Sequence, residues 1–529
     1  MTDVAALLPL FVAGPIVVAG ALVALGTRAA RAAQAVLVLV TAASTAGAVA
    51  LVVSQLDGPV LAHGVGGWPG GVAIPFVADM FTALMLTVTG LLSVVCAWFA
   101  IASGEAATRS YSPLVLVLLG GVNGALLTGD LFNLFVFIEV MLLPSYGLLL
   151  MAAPGGATTR RLAGVRLYVL VNLLTSTIFL VGVGLIYGVT GTVNIAELAG
   201  AAQESTLVAA AAAVCLVALG IKAAVVPVHG WLARAYPSTS PSVTALFSGL
   251  HTKVAIYAIY RIYATIYDGD EAYLWVGLLV FSATMVVGVL GAVGERSTRS
   301  ILAFHMVSQI GYILLGVALF GPLGLTAGIF YLLHHMIVKA SLFLSTGAVE
   351  IRYGTRPLGQ VTGIARTEPL VAVAFFAAAL SLAGLPPFSG FVAKLSLVLA
   401  ALDAGQVAVA ATAVAVSLFT LLSMLKIWSG MFWGRPTTPG ALEEAPAGMR
   451  LALARLAGDH REQATVLEAQ RADTAPRRRI GVALLGPGLV LALVTLSLGL
   501  GGQLLLDLAS TAAAGLLDTT GYVEAVLAP

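Results

Sequence analysis

The sequence predicts an all-α polytopic membrane protein of about fourteen transmembrane helices, and three observations carry that prediction. Of its 529 residues 60% are hydrophobic and only 9% are charged, against about a quarter charged in soluble domains. Apolar runs of about 20 residues, enough to cross a bilayer, recur along nearly the whole chain. The basic residues fall on every second connection between those runs. A soluble enzyme is thereby excluded.

In chain order the runs are 6–26, 33–54, 74–102, 112–128, 130–152, 166–189, 207–232, 242–265, 273–294, 299–320, 325–347, 368–399, 406–432 and 481–507. The first lacks a basic start and is longer than a signal-peptide core, so it is expected to be retained. Arg28 and Arg31, Arg109, Arg160, Arg161 and Arg166, Arg234, Arg296 and Arg299, and Arg352, Arg356 and Arg366 mark alternate connections. The intervening ones carry Asp57, Asp130, Glu197, Glu204, Asp268, Asp270, Glu271 and Asp403 without Lys or Arg. The positive-inside rule then puts the first connection in the cytoplasm and both termini outside. A bacterial cytoplasmic (inner) membrane is expected, because the Ala, Gly, Val and Arg usage suggests a GC-rich bacterial genome. Residues 433–480 are the one long hydrophilic segment and are expected to form a cytoplasmic loop, with the tail after Asp507 along the outer face.

Charges inside the spans are the candidates for function, since a charge at mid-bilayer is costly and normally faces a protein interior or a hydrated path. Glu139 stands in the middle of the fifth span. Asp79 and Asp130 lie nearer helix ends, where capping explains them equally well. Lys222 precedes Pro227, and Lys394 follows Pro386 and Pro387. Proline interrupts a helix, and non-helical backbone at membrane depth is tolerated only where protein or water satisfies it. Two broken helices bearing charges are the mark of an inverted-repeat transporter. The organisation expected is 1–111 (helices 1–3), 112–265 (first five-helix repeat), 266–432 (second, inverted repeat with discontinuous helices 7 and 12), 433–480 (loop) and 481–529 (helix 14 and tail).

Between the breaks lie Lys253 and the group His334, His335 and Lys339, of which His335 and Lys339 share one helix face. Buried lysines and histidines bridged by water can hand protons along. The expected relay is Glu139, Lys222, Lys253, His335, Lys339 and Lys394, with His334, His251 and His229 as candidate relay or supporting groups. If Glu139 and Lys222 approach, each keeps the other ionised, and separating them frees the lysine's proton. At about 4 Å and an effective dielectric near 20 that contact is worth roughly 4 kcal/mol. Lys426, followed by Trp428 and Trp433, is expected to anchor at the interface. Asp130, Asn133, Ser145 and Ser389 could ligate a cation, but a hard cation needs several converging oxygens, so no metal site is assigned. Cys96 and Cys215 lie in apolar runs, and iron–sulfur, haem and phosphate-loop patterns are missing from the sequence, so no cofactor and no nucleic acid is expected.

The stretches LLTGDLFNLFVFIEVMLLPSYGLLL, GIKAAVVPVHGWLARAYPSTSPSVTALFSGLHTKVAIYAIYR and GLPPFSGFVAKLSL resemble the antiporter-like subunits shared by multisubunit Na+/H+ antiporters and the membrane arm of respiratory complex I. The GDLFNLFVFIEV motif, with Lys rather than Glu in the twelfth span, is most similar to the D-type branch of the Mrp antiporters. The resemblance implies fourteen helices with two inverted five-helix repeats, a central hydrated axis, Glu139 as the essential carboxylate and Lys222 as its paired lysine. It also places Lys253, His335 and Lys339 in the central relay and Lys394 at its end. The chain would work with other subunits of a hetero-oligomeric complex, in a lipid bilayer, exchanging Na+ for H+ without a redox cofactor. The alternative is a proton-pumping subunit of a redox enzyme, complex I or a membrane-bound hydrogenase, in which electron transfer elsewhere drives the same relay. A passive channel fits buried ion pairs and broken helices poorly.

Overall fold

The computed structural model describes residues 4–26, 30–68, 72–151, 159–354, 357–436 and 479–527. Most of the predicted loop therefore lies outside the described residues. The helices begin where the sequence supplies caps. Asp79 accepts from the Thr82 amide at the start of α3 (Met80–Ser103), Ser205 does so for α8 (Thr206–Ala223), Ser240 for α10 (Pro241–Thr265) and Ser297 for α12 (Thr298–Ala318), each side-chain oxygen satisfying an amide that the first turn leaves open. Before α8 come α1 (Leu10–Leu25), α2 (Ala30–Ser54), α4 (Tyr111–Leu127), α5 (Leu131–Met151), α6 (Thr159–Thr190) and the short α7 (Ala201–Glu204). After it come α9 (Gly230–Ala235), α11 (Leu274–Gly294), α13 (Pro322–Tyr353), α14 (Ile364–Thr367), α15 (Pro369–Ala383), α16 (Ser389–Asp403), α17 (Val407–Ile427), α18 (Val482–Leu500), α19 (Gly502–Leu517) and α20 (Thr520–Leu527). Eleven helices among the described residues are long and apolar enough to cross a membrane, and Tyr111–Leu127, Pro369–Ala383 and Gly502–Leu517 are shorter apolar helices. The chain is a multi-pass membrane protein.

Polarity sorts the helices radially. The apolar window of α13 is buried along its whole length, and every residue of α10 is buried. These are the helices that carry Lys253, His334, His335 and Lys339. Only about a quarter of each apolar window within α1, α2 and α11, which lack such groups, is buried, as expected where the surrounding lipid is as apolar as the side chains.

Both expected breaks are present, and each contains its prolines. The seventh span stops at Ala223 and resumes at Gly230, and the twelfth stops at Ala383 and resumes at Ser389. The last turn of each first half closes on a left-handed residue, Ala224 (φ 64°) or Gly384 (φ 88°). The amide of Ala224 returns to the carbonyls of Gly220 and Ile221, and that of Gly384 to Leu380 and Ser381. This closure satisfies carbonyls that the interruption would otherwise expose. Ala224, Pro227 and Gly230 recur at the same spacing as Gly384, Pro387 and Gly390.

The expected bounds of two spans and the place of the tail need correction. Leu61–Gly64 and Pro75–Ala78 pair as a two-stranded antiparallel hairpin with Leu61 opposite Ala78, a small addition to the helical fold. The third span consequently starts at Met80 rather than 74, its start set by the Asp79 cap. The last span ends at Leu500 rather than 507. Gly501 breaks it, and α19 then packs against α13, α3 and α10, burying Leu505, Ala509, Ala512 and Leu516. The tail thus belongs in good part to the helical core and does not merely lie along the outer face.

Candidate functional site

The site begins on α5, where Glu139 is half-buried and its Oε1 has no hydrogen-bond partner in the protein. Lys222 occupies the last turn of α8, beside the first break. Its Nζ donates to Asn172 Oδ1 on α6 at 3.2 Å, and Asn172 is oriented by its own amide bond to the Tyr168 carbonyl at 2.8 Å. Glu139 is an electrostatic neighbour of Lys222, but no ion pair within 4.0 Å joins them. The two side chains are neighbours that are not in contact.

Helix α10 carries the axis from one half of the bundle to the other. His251 Nδ1 meets the Tyr168 hydroxyl at 3.2 Å, and that hydroxyl meets Ser145 Oγ at 3.1 Å. Lys222 is an electrostatic neighbour of His251. Lys253 is two residues on, and two helical steps turn a side chain by roughly 200°, so Lys253 leaves the opposite face of α10. Its Nζ donates to Thr252 Oγ1 at 3.0 Å, and it is a neighbour of His335 and Lys339 on α13.

His335 is the hub. Neither ring nitrogen has a partner in the protein, although the residue is fully buried, and its electrostatic neighbours are Lys253, Lys339, His334 and His305. Buried polar groups are almost always bonded to protein or to ordered water, which makes this a place for water. Lys339 Nζ donates to the Leu302 carbonyl at 3.0 Å and lies 5.9 Å from the Phe343 ring centroid.

The far end is built on the second break. Lys394 Nζ donates to the Ala383 carbonyl at 3.2 Å, at the end of α15, and sits 5.0 Å from the Tyr312 ring centroid. His334 Nδ1 meets Ser389 Oγ at 2.8 Å. Ser389 and Ser381 both bond Thr495 of α18, at 2.7 and 2.9 Å, so hydroxyls from the two sides of the break converge on one threonine.

The structure therefore gathers Glu139, Lys222 and His251 into one set of neighbours and Lys253, His334, His335, Lys339 and Lys394 into another, with α10 between them. His229 stands apart. It is half-exposed within the first break, its ring 6.5 Å from that of Phe304, and it is not an electrostatic neighbour of Lys222 or Lys253. Lys426 bonds the Val293 and Glu295 carbonyls at 2.7 and 2.6 Å, capping the end of α11. Asp130 caps α5 through the Asn133 amide at 2.7 Å, while Ser145 and Ser389 are engaged elsewhere, so the four candidate cation ligands do not converge. Among the described residues no group of three or more His, Cys, Asp or Glu side chains could hold a metal.

The sequence expectation omitted His305. On α12 it is fully buried, its Nε2 2.5 Å from Ser423 Oγ, and its electrostatic neighbours include both Lys339 and Lys394. It is the neighbour that the two lysines have in common. An ionisable group inside a predicted span was the available signal, the same one that singled out Glu139. Asp79, expected from the sequence only to lie near a helix end, forms a buried ion pair with Arg261 at 2.6 Å.

Comparison with known proteins follows the same outline. The family described as NADH:quinone oxidoreductase/Mrp antiporter, TM, matches residues 128–420, from the cap of α5 into α17. The chain belongs to this family. Among relatives, it is 42% identical over 376 residues to the D-type Na(+)/H(+) antiporter subunit of Alkalihalophilus pseudofirmus, covering 70% of this chain and 76% of that one. It is 32% identical over 473 residues to the D-type Na(+)/H(+) antiporter subunit of Bacillus subtilis, covering 88% and 87%. A chain in the structure of the Mrp complex from Dietzia sp. DQ12-45-1b is 64% identical, with a TM-score of 0.92 and full coverage of both chains. An archaeal membrane-bound sulfane sulfur reductase shares the fold, with a TM-score of 0.81 at 24% identity, covering 99% of this chain and 100% of that one.

Proposed function

We propose that this chain is the proton-translocating D-type subunit of a multisubunit Na+/H+ antiporter in the bacterial cytoplasmic membrane, and that it is a transporter component rather than an enzyme. The observation that carries this function is a pair of ionisable clusters flanking α10, with Lys222 and His251 beside half-buried Glu139 on one side and Lys253, His335, Lys339, His305 and Lys394 buried together on the other. Family membership and the antiporter subunits that this chain is similar to support it. The Arg-bearing helix ends face the cytoplasm and both termini face outside, as the charge distribution argues. Residues 112–265 and 266–432 form the two inverted repeats, supported by the matched breaks.

The mechanism follows from the separated pair. With Lys222 held by Asn172 rather than by Glu139, its ammonium lacks the counter-charge that would keep it protonated, and the proton passes toward His251 and, across α10, to Lys253. Return of Glu139 to Lys222 reloads it. A swing between the two partners is worth roughly 4 kcal/mol at an effective dielectric near 20, enough to close and open the relay. Water at His335 completes the path between the lysines. Sodium crosses in the assembled complex, with the other subunits as partners.

The test is proton movement in inverted vesicles from an antiporter-deficient host expressing the whole complex. Respiration sets the gradient and is then inhibited. Sodium should dissipate the gradient, and Glu139→Gln or Lys222→Ala should abolish that response while the complex still assembles. Near-full exchange in either assembled variant would refute the relay. Pumping seen only during oxidation of an electron donor would move the chain to the respiratory branch, whose fold it shares.

A further inference from the structure

The bundle holds another partly enclosed acid that the relay does not use. Glu105 lies in the single turn Glu105–Ala107 between α3 and α4, at the Arg-bearing end of the helices. Its carboxylate accepts a hydrogen bond from the Ser242 hydroxyl in the first turn of α10. The Tyr111 phenol at the start of α4 donates to the same Ser242 oxygen at 3.4 Å. Arg299 at the start of α12 is an electrostatic neighbour, and Ser240 and Ser103 also hydrogen-bond the carboxylate. The Nε of Arg299 pairs with Glu350 near the end of α13 at 2.7 Å. Cys96 on α3 is the remaining titratable neighbour. Glu105 is itself only half-buried, so it touches both the interior and the aqueous side.

Helix geometry ties this cluster to the relay. Eleven residues make three turns of an α-helix and about 20° more, so side chains that far apart share a face. Ser242 and Lys253 are so spaced on α10, and Lys339 and Glu350 on α13. The two helices pack together. Both faces start at the lysines beside His335 and end at Glu105, Arg299 and Glu350, about 16 Å along the axes. Buried Thr346 lies on the α13 face between them.

We propose that Glu105 exchanges protons between the central relay and the aqueous phase on the Arg-bearing side, with Ser242 positioning its carboxylate. This inference rests on the relay proposed above. The transfer moves a proton alone: an ammonium of the relay gives it up to water, the Glu105 carboxylate takes it to become the neutral acid, and bulk water takes it from there. Burial lifts the Glu105 carboxyl above its ordinary range, against the hydrogen bonds from Ser242 and Ser240 and the charge of Arg299. That brings it closer to neutral pH, where a proton-transfer group works best.

A purely structural tie between the α3–α4 turn and α10 would use the same contacts, so the test needs a pH readout. In inverted vesicles carrying the whole complex, sodium-driven proton movement is followed against the pH of the outer medium, which bathes the Arg-bearing side. Glu105→Gln should lower the rate by about a hundredfold or more and remove the titration seen from that side, and Glu105→Asp should restore both. Ser242→Ala should move the midpoint upward, because it removes a hydrogen bond that favours the ionised carboxyl. A normal rate and profile in assembled Glu105→Gln overturns the inference. Failure of Glu105→Asp to restore activity in an assembled complex overturns it as well. Should Glu105→Gln not assemble, an unmoved midpoint in Ser242→Ala overturns it. Glu139→Gln, run in parallel, separates the two levels. If it too exchanges normally, the relay falls and this role with it; if it alone fails, only the role of Glu105 is refuted.

Discussion

At the scale of the residue, the relay depends on which neighbour each buried cation finds. Lys222 takes the amide oxygen of Asn172, Lys339 a helix carbonyl and Lys394 the carbonyl end of a broken helix. Neutral acceptors stabilise an ammonium without trapping it as a carboxylate contact would, and a transferable proton requires that. His305 is the most informative single residue, because it is the neighbour shared by Lys339 and Lys394. His305→Ala should cut sodium-driven proton movement by about a hundredfold or more, the scale of a lost proton-transfer group, with the complex assembled and Lys394 in place. An unchanged rate in the vesicle assay would show that Lys339 reaches Lys394 without it.

At the scale of the element, the two interrupted helices do different work at matched positions. The first break places its lysine before the interruption and the second places it after. Each break is held by contacts from outside its own helix, the first by the Val226 amide on Thr284 Oγ1 at 3.1 Å, the second by Thr495. Gly390 shows how tight the second break is. A Cβ there would stand 1.7 Å from the Ser381 carbonyl oxygen and 3.2 Å from the His334 ring, and backbone cannot yield as a flexible side chain can. Gly390→Ala should destabilise the complex by about 1–3 kcal/mol, the usual cost of overpacking, seen as a lower unfolding midpoint in detergent, and should depress exchange through displaced His334. Wild-type stability would mean that the break relaxes freely.

At the scale of the whole molecule, a clamp closes the end of the bundle opposite Glu105. Asp79 caps α3 and pairs with Arg261 of α10 at 2.6 Å. Arg261 also reaches the Tyr257 hydroxyl at 3.3 Å and lies 4.7 Å from the Tyr522 ring centroid of α20, while α20 packs on both strands of the hairpin. The hairpin, the central helix and the C-terminal helix therefore meet at one buried ion pair. Asp79→Ala leaves that guanidinium without its counter-charge, which costs about 3–5 kcal/mol in comparable buried pairs. The expected result is loss of thermal stability and release of α20 to proteolysis. A variant with unaltered stability would show that Tyr257 and Tyr522 suffice to hold Arg261.

The multi-pass helical fold, both helix breaks and the charges within the spans were legible from the sequence alone. An apolar run of bilayer length, a proline within it and a charge at its middle are properties of consecutive residues, and the bilayer penalises each locally. That each break opens at Ala224 or Gly384, ahead of Pro227 or Pro387, was not legible, because a left-handed closure depends on which carbonyls need satisfying. The hairpin and the inward turn of α19 were not legible either, since short segments take their structure from what they pack against. Tertiary structure alone decided that Asn172 holds Lys222, that His305 bridges Lys339 and Lys394, and that Asp79 meets Arg261 from 182 residues away. Those contacts depend on how each helix is rotated and where it crosses its neighbours, and the pattern along a single helix does not encode that.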